Sequence, residues 1–264
     1  MRLEERRTLV VIAVVGALGV VGAVLFFPAL YLFGLSLAPP RPVPEATAAP
    51  ALLREALWAR ANGGPSTEFR PVNPIAIVQH VACHELADNH LSRRSPEGAK
   101  ADDLQERAVR LADCRKHLPA IQGVEYLAGV HMRDHHFEPS FLTGIRRVAT
   151  AVWMTRSWTR EAFLDTLATH SEFGPGWRGV EAASRGYFDR AAARLTLPQA
   201  AMLAAFVGDR GTDPWCETEA ATSMRNRILD RMRENGVIDE AAWHAARAAP
   251  FELAAPPPAH RCAS

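Results

Sequence analysis

Lysine is nearly missing from this sequence: Lys100 and Lys116 are the only two among 30 basic residues, set against 29 acidic ones in a chain of 264. The resulting net charge of +1 leaves no polycationic surface of the kind that grips nucleic acid, and 48% hydrophobic residues exclude a disordered charged tail. The bias toward Arg reads as coding composition and carries no function. Also absent are a Walker loop, a dinucleotide fingerprint, a nucleophile elbow and the cysteine context of papain-type proteases, which removes several common nucleotide-binding and hydrolytic chemistries. Cysteine is scarce, four in all, and no Cys-x-x-Cys spacing occurs, so a zinc site built on cysteines is not expected and no metal ligand is assigned.

Charge is missing altogether from residues 9–37. Leu9 to Phe27 are 19 consecutive apolar residues, which at about 1.5 Å per helical residue come close to spanning a hydrocarbon core of about 30 Å. The run continues through Pro28 and Tyr31 toward Leu37, longer than the apolar part of a cleaved signal peptide, so an uncleaved transmembrane helix is expected over 9–37. Arg2, Arg6 and Arg7 place residues 1–8 in the cytoplasm and everything after residue 38 outside. That compartment preserves disulfides, and Cys83 with Cys114 and Cys216 with Cys262 close the shortest loops; four buried thiols are the alternative.

Residues 38–50, APPRPVPEATAAP, read as an extended Pro/Ala linker that spaces a domain of residues 51–264 away from the membrane. Beyond it the apolar residues recur at helical spacing, as in Phe163, Leu164 and Leu167 or Ala200, Ala201, Leu203, Ala204 and Val207, and the expected class is mainly α. Thr159, Thr196 and Asp239 stand where helix N-caps belong, a helix is expected from about Glu219 to Glu234, and Asn235-Gly236 is a left-handed stop. Cys262 is expected to tie down an irregular tail.

From Thr159 to Ala246 a Phe-Gly-x-Gly turn, Glu181-Ala-Ala, Tyr187-Phe188, Leu195-Thr-Leu and an Arg225-Asn226-x-Ile-Leu helix follow one another in order. This series resembles the C-terminal half of the peptidoglycan glycosyltransferase domain of penicillin-binding proteins, glycosyltransferase family 51. The likeness covers about 100 residues well and the preceding 100 poorly. It implies an N-terminal membrane helix carrying a lysozyme-like helical domain, in the periplasm at a bacterial inner membrane. It also implies polymerisation of lipid II, in which a Glu deprotonates the attacking sugar hydroxyl and basic residues or a divalent cation stabilise the departing pyrophosphate.

The sequence departs from that pattern where chemistry is expected. No acidic pair with a downstream aromatic and His occurs in residues 51–120, where Glu85 in Cys83-His84-Glu85 is the nearest substitute base. The Gly-Gly-Ser-Thr-x-x-Gln-Gln block is replaced by IQGVEYLAGVHMRD, and Arg146-Arg147-Val148-Ala149 lacks its following carboxylate. By the resemblance, substrate-binding positions fall on Arg160, Asp165, Arg225 and Asn226, with Thr169 in place of an Asn; for Asp165 and Arg225 a structural ion pair in the helical core is the competing reading. The pattern fits a domain that binds lipid-linked precursor or glycan strands with lost or altered catalysis. A non-enzymatic scaffold or partner-binding protein of an envelope complex is the alternative.

Two further clusters stand out. His80 with His84 and His131 with His135 are four residues apart, with His136 and Glu138 beyond, so helical pairs could present two nitrogens to one zinc and define a weaker third class, a metal-dependent envelope enzyme. Arg146, Arg147, Trp153, Arg156, Trp158 and Arg160 would suit a membrane interface or, equally, indoles in the core beside solvated arginines.

Overall fold

The computed structural model describes residues 25–26, 28–45, 47–73, 120–174, 176–209, 211–258 and 260–262. The described part is mainly α, with isolated bridges Glu172–Arg178 and Phe173–Val207 as its only β pairing. The helices are α1 (Ala51–Arg60), α2 (Ile121–Asp134), α3 (Phe141–Ser157), α4 (Arg160–His170), α5 (Val180–Phe188), α6 (Leu197–Phe206), α7 (Thr218–Glu234) and α8 (Glu240–Ala248), with a 3-10 turn at Ala192–Arg194.

Local chemistry sets these boundaries. Thr159 accepts a hydrogen bond from the Ala162 amide at 3.1 Å, Asp239 accepts one from Ala242 at 2.8 Å, and Thr196 and Gln199 form a reciprocal capping box with Pro198 in the first turn. Helix α7 stops at Asn235, followed by Gly236 at φ +71°, the left-handed conformation that ends a helix most easily without a Cβ.

The hub is α6. Its sequence LPQAAMLAAF is apolar around its whole circumference, so it has no face to give to water, and Gln199 through Phe206 are all buried. Its alanines let neighbours approach closely: α7 and α1 pack along it most extensively, and α5 and α8 touch it as well. Beside it Tyr187 is fully buried among Phe188, Phe206, Trp177 and Trp215, and its hydroxyl donates to the Phe173 carbonyl at 3.1 Å. The tail runs over this cluster, with Ala254 N donating to Tyr187 O and Trp215 Nε1 donating to Ala254 O, and a disulfide joins Cys216 to Cys262.

Among the described residues no helix is long and apolar enough to cross a membrane; residues 9–24 and 27 of the expected anchor lie outside them. Residues 28–37 are helical and pack on α3, where Gly34 lies so near Ala149 that a Cβ would come within 2.8 Å of it. The segment 38–50 lies against the helices. Its described residues contain no helix, and Glu45 N donates to Thr166 Oγ1 and Ala49 N to Asp165 Oδ1, both at 2.9 Å, while Arg41 lies over Trp153. Proline contributes no donors, so the non-proline amides fasten this strap to side chains of α4. The two indoles resolve toward the core reading: Trp158 is 7% exposed and Trp153 packs edge-on against it.

Candidate functional site

The strap, α2, α3 and α4 together line an open cleft of about 280 Å³. Leu127, Val130, Met154 and Trp158 form its apolar wall, and His131, Asp134, His135 and His170 bring polar groups to it. His131 Nε2 lies 2.8 Å from the Pro40 carbonyl, and since a carbonyl only accepts, that nitrogen carries the proton. Burial holds the His131 pKa below that of a free imidazole, a trend the Pro40 carbonyl opposes, and the His135 ring stands edge-on at 4.6 Å. Asp134 is held below the usual carboxylate range by hydrogen bonds from Arg178. His170 faces Glu45 of the strap at 3.8 Å. Trp158 Nε1, by contrast, is buried without a hydrogen-bond partner.

The His131–His135 pair does not gather metal ligands. Its inner nitrogen is occupied by the strap, and among the described residues no cluster of three ligand atoms forms there. His80, His84, Glu85, Cys83 and Cys114 lie outside the described residues.

Arg160, Asp165 and Arg225 of the resembling segment each have partners of their own and share none. Asp165 is 7% exposed and both its oxygens are engaged, Oδ1 by Arg54 Nε at 2.6 Å and Ala49 N, Oδ2 by Arg54 Nη2 at 2.9 Å. Arg160 pairs with Glu161 and lies over the Trp58 ring. Arg225 is 2% exposed and donates to the Ala249, Arg247 and Asn226 oxygens, far along the chain from any partner of Asp165. Asn226 supplies its Oδ1 to the Arg225 Nε and Nη2 donors.

A carboxyl group that sequence reasoning passed over lies on the other face of α2. Burial pushes Glu125 up to about 7, against the opposing charge of Arg147, whose stem would lie 3.8 Å from a Cβ added at Gly129, one turn further along. The signal available was a lone acid in the otherwise uncharged stretch Val124 to Val130. The sign of its effect follows from linkage. A free Glu titrates near 4.5, so the stability that the protonated group contributes is complete below that pH and is lost as pH rises through 7. Glu125→Gln should therefore match the parent near pH 4.5 and exceed it by about 2 kcal/mol at pH 8, a partial share of the 1.4 kcal/mol per pH unit that linkage allows. Urea unfolding at both pH values measures this; equal pH dependence in parent and variant would refute it.

Residues 130–233 match the family described as Transglycosylase. "Penicillin-binding protein 1A" from Mycolicibacterium smegmatis is 34% identical over 89 residues, which are 33% of this chain and 11% of that protein. "Biosynthetic peptidoglycan transglycosylase" from Pectobacterium carotovorum is 50% identical over 48 residues, 18% of this chain and 20% of that protein. The protein of the same name from Shewanella amazonensis is 35% identical over 108 residues, covering 33% and 42%. This chain thus spans less than half the length of each of these relatives. The solved structure of penicillin-binding protein 1A from Haemophilus influenzae aligns with a TM-score of 0.33 and 19% identity over 52% of this chain and 17% of that one.

Proposed function

We propose that this chain, whose residues 130–233 match the Transglycosylase family, is a membrane-anchored, transglycosylase-like domain that binds lipid-linked peptidoglycan precursor or glycan strands outside the bacterial inner membrane, with lost or altered catalysis. One observation carries the loss of catalysis. The two motif charges buried in the described structure, Asp165 and Arg225, have their polar atoms engaged by the protein's own backbone and side chains and share no partner. A pyrophosphate leaving group needs cations free to face it, and a sugar hydroxyl needs an open carboxylate within hydrogen-bond reach.

The same engagement of Asp165 and Arg225 supports a second reading, a non-enzymatic scaffold or partner-binding protein of an envelope complex. Incubating the purified full chain in detergent with lipid II tests the first reading. The expected result is saturable binding of lipid II or of glycan strands without polymer formation. Glycan synthesis abolished by Glu85→Gln or Glu125→Gln would overturn the loss of catalysis, and absence of any glycan binding would leave the scaffold reading in its place.

A further inference from the structure

The Cys216–Cys262 disulfide sits in a ready-made set of metal ligands. His260 Nε2 lies 3.4 Å from Cys216 Sγ and 2.9 Å from Asp213 Oδ2, Asp213 Oδ2 lies 3.2 Å from the same sulfur, and the donor atoms of Cys216, His260 and Cys262 all fall within 4.8 Å of one another. We propose that the dithiol form of this cross-link is a zinc site, with Cys216, Cys262, His260 and Asp213 as its four ligands.

The spacing suits the ion. A tetrahedral site with zinc bonds of about 2.0 to 2.3 Å has ligand-to-ligand edges of about 3.3 to 3.8 Å, so the Asp213, His260 and Cys216 donors need shifts of a few tenths of an ångström. The two sulfurs, now bonded, must separate, and Cys262, in an exposed tail, must come within ligand distance of Asp213 as well. Two thiolates, an imidazole and a carboxylate are a borderline-soft set that selects zinc over calcium or magnesium.

The shell behind the ligands is also in place. Asp213 Oδ1 accepts the Trp215 amide at 3.1 Å, which leaves Oδ2 turned toward the sulfur and the imidazole. The Trp215 ring packs on His260 at 5.1 Å and fixes the ring's plane. Sequence spacing hides all this, because the ligands come from two places 44 residues apart, the turn before α7 and the tail, and neither contains a paired-cysteine motif.

The chemistry balances with a dithiol reductant. It transfers two electrons and two protons to the disulfide and closes its own disulfide; zinc then displaces both thiol protons to form two Zn–S bonds, with neutral His260 and ionised Asp213 completing the shell. One cross-link replaces another, so the tail stays fastened to the domain in both states.

The full chain in detergent is reduced with dithiothreitol, freed of it under argon and titrated with zinc, then with cobalt(II) as a spectroscopic stand-in. The expected result is one zinc bound at this site in the reduced chain and none in the oxidised chain, and tetrahedral dithiolate bands with cobalt. His260→Ala and Asp213→Ala should each weaken affinity by about tenfold or more, while their oxidised forms keep the parent helical spectrum. Zinc binding that both variants leave unchanged would place the ion at other cysteines and overturn the proposal. So would a reduced chain that takes up no zinc, or cobalt bands of octahedral type.

Discussion

Asp165→Ala should destabilise the domain by about 3 kcal/mol, the lower end of what removing one partner of a buried ion pair costs. Three donors converge on this carboxylate, two from Arg54 and one from the Ala49 amide, and the Arg54 side chain is 26% exposed, so water can partly solvate the orphaned guanidinium and the higher end of that range is not reached. The strap loses a fastening in the same step, because Ala49, two residues before α1, donates to the oxygen that Arg54 Nε also uses. Asp165→Asn keeps the shape and one acceptor and should lose about 2 kcal/mol. A cycle with Arg54→Ala, read by urea unfolding, should return a coupling above about 1 kcal/mol, since each single variant already breaks the pair. A residue held in place only to face a substrate would behave otherwise: Asp165→Asn would leave the unfolding midpoint where it was.

Legibility in the sequence tracked the range of the interaction. The caps at Thr159, Thr196 and Asp239 join groups three residues apart, and the helix stop at Gly236 depends on one residue's backbone, so both were readable without any tertiary knowledge. The pairing of Cys216 with Cys262 followed from loop closure over 46 residues. Long-range placement was not readable. Nothing in APPRPVPEATAAP distinguishes a free spacer from a strap, because what fastens it, Asp165 and Thr166, lies more than a hundred residues away. Glu125 stands alone in an uncharged stretch, but its burial and its nearness to Arg147 are set only by the packing of α3 on α2. Likewise the resemblance put Asp165 and Arg225 in substrate contact on motif position alone, and only the three-dimensional packing supplies the partners that occupy them.

Arg225 gives the sharpest separation between a residue that serves the fold and one that serves a ligand. Its guanidinium is a planar fork whose Nη1 meets the Ala249 carbonyl at 2.8 Å, whose Nη2 meets the Arg247 carbonyl at 2.9 Å, and whose Nε and Nη2 reach Asn226 Oδ1. Those carbonyls end α8, where the last turn has no intrahelical donors, so Arg225 caps a helix from the side while lying over the Phe251 ring at 4.8 Å. Burial lowers its pKa, with Arg247 adding to the effect, so the ionised form is retained through these acceptors rather than through a paired carboxylate. Arg225→Ala removes the donors and leaves a void in a region 2% exposed, and should cost about 4 kcal/mol. Arg225→Lys keeps the charge but offers a compact ammonium on a flexible stem that cannot bridge three separated oxygens, and should still cost about 2 kcal/mol. Arg185→Ala, at an exposed i,i+4 pair with Glu181, should stay within about 0.5 kcal/mol and serves as the control. Amide exchange adds a local readout: both Arg225 variants should lose protection first at the α8 C-terminus, at the amides of Ala245 to Ala249. If lysine instead restored full stability, charge alone would be what the site requires, and Arg225 would be available to meet an anionic ligand.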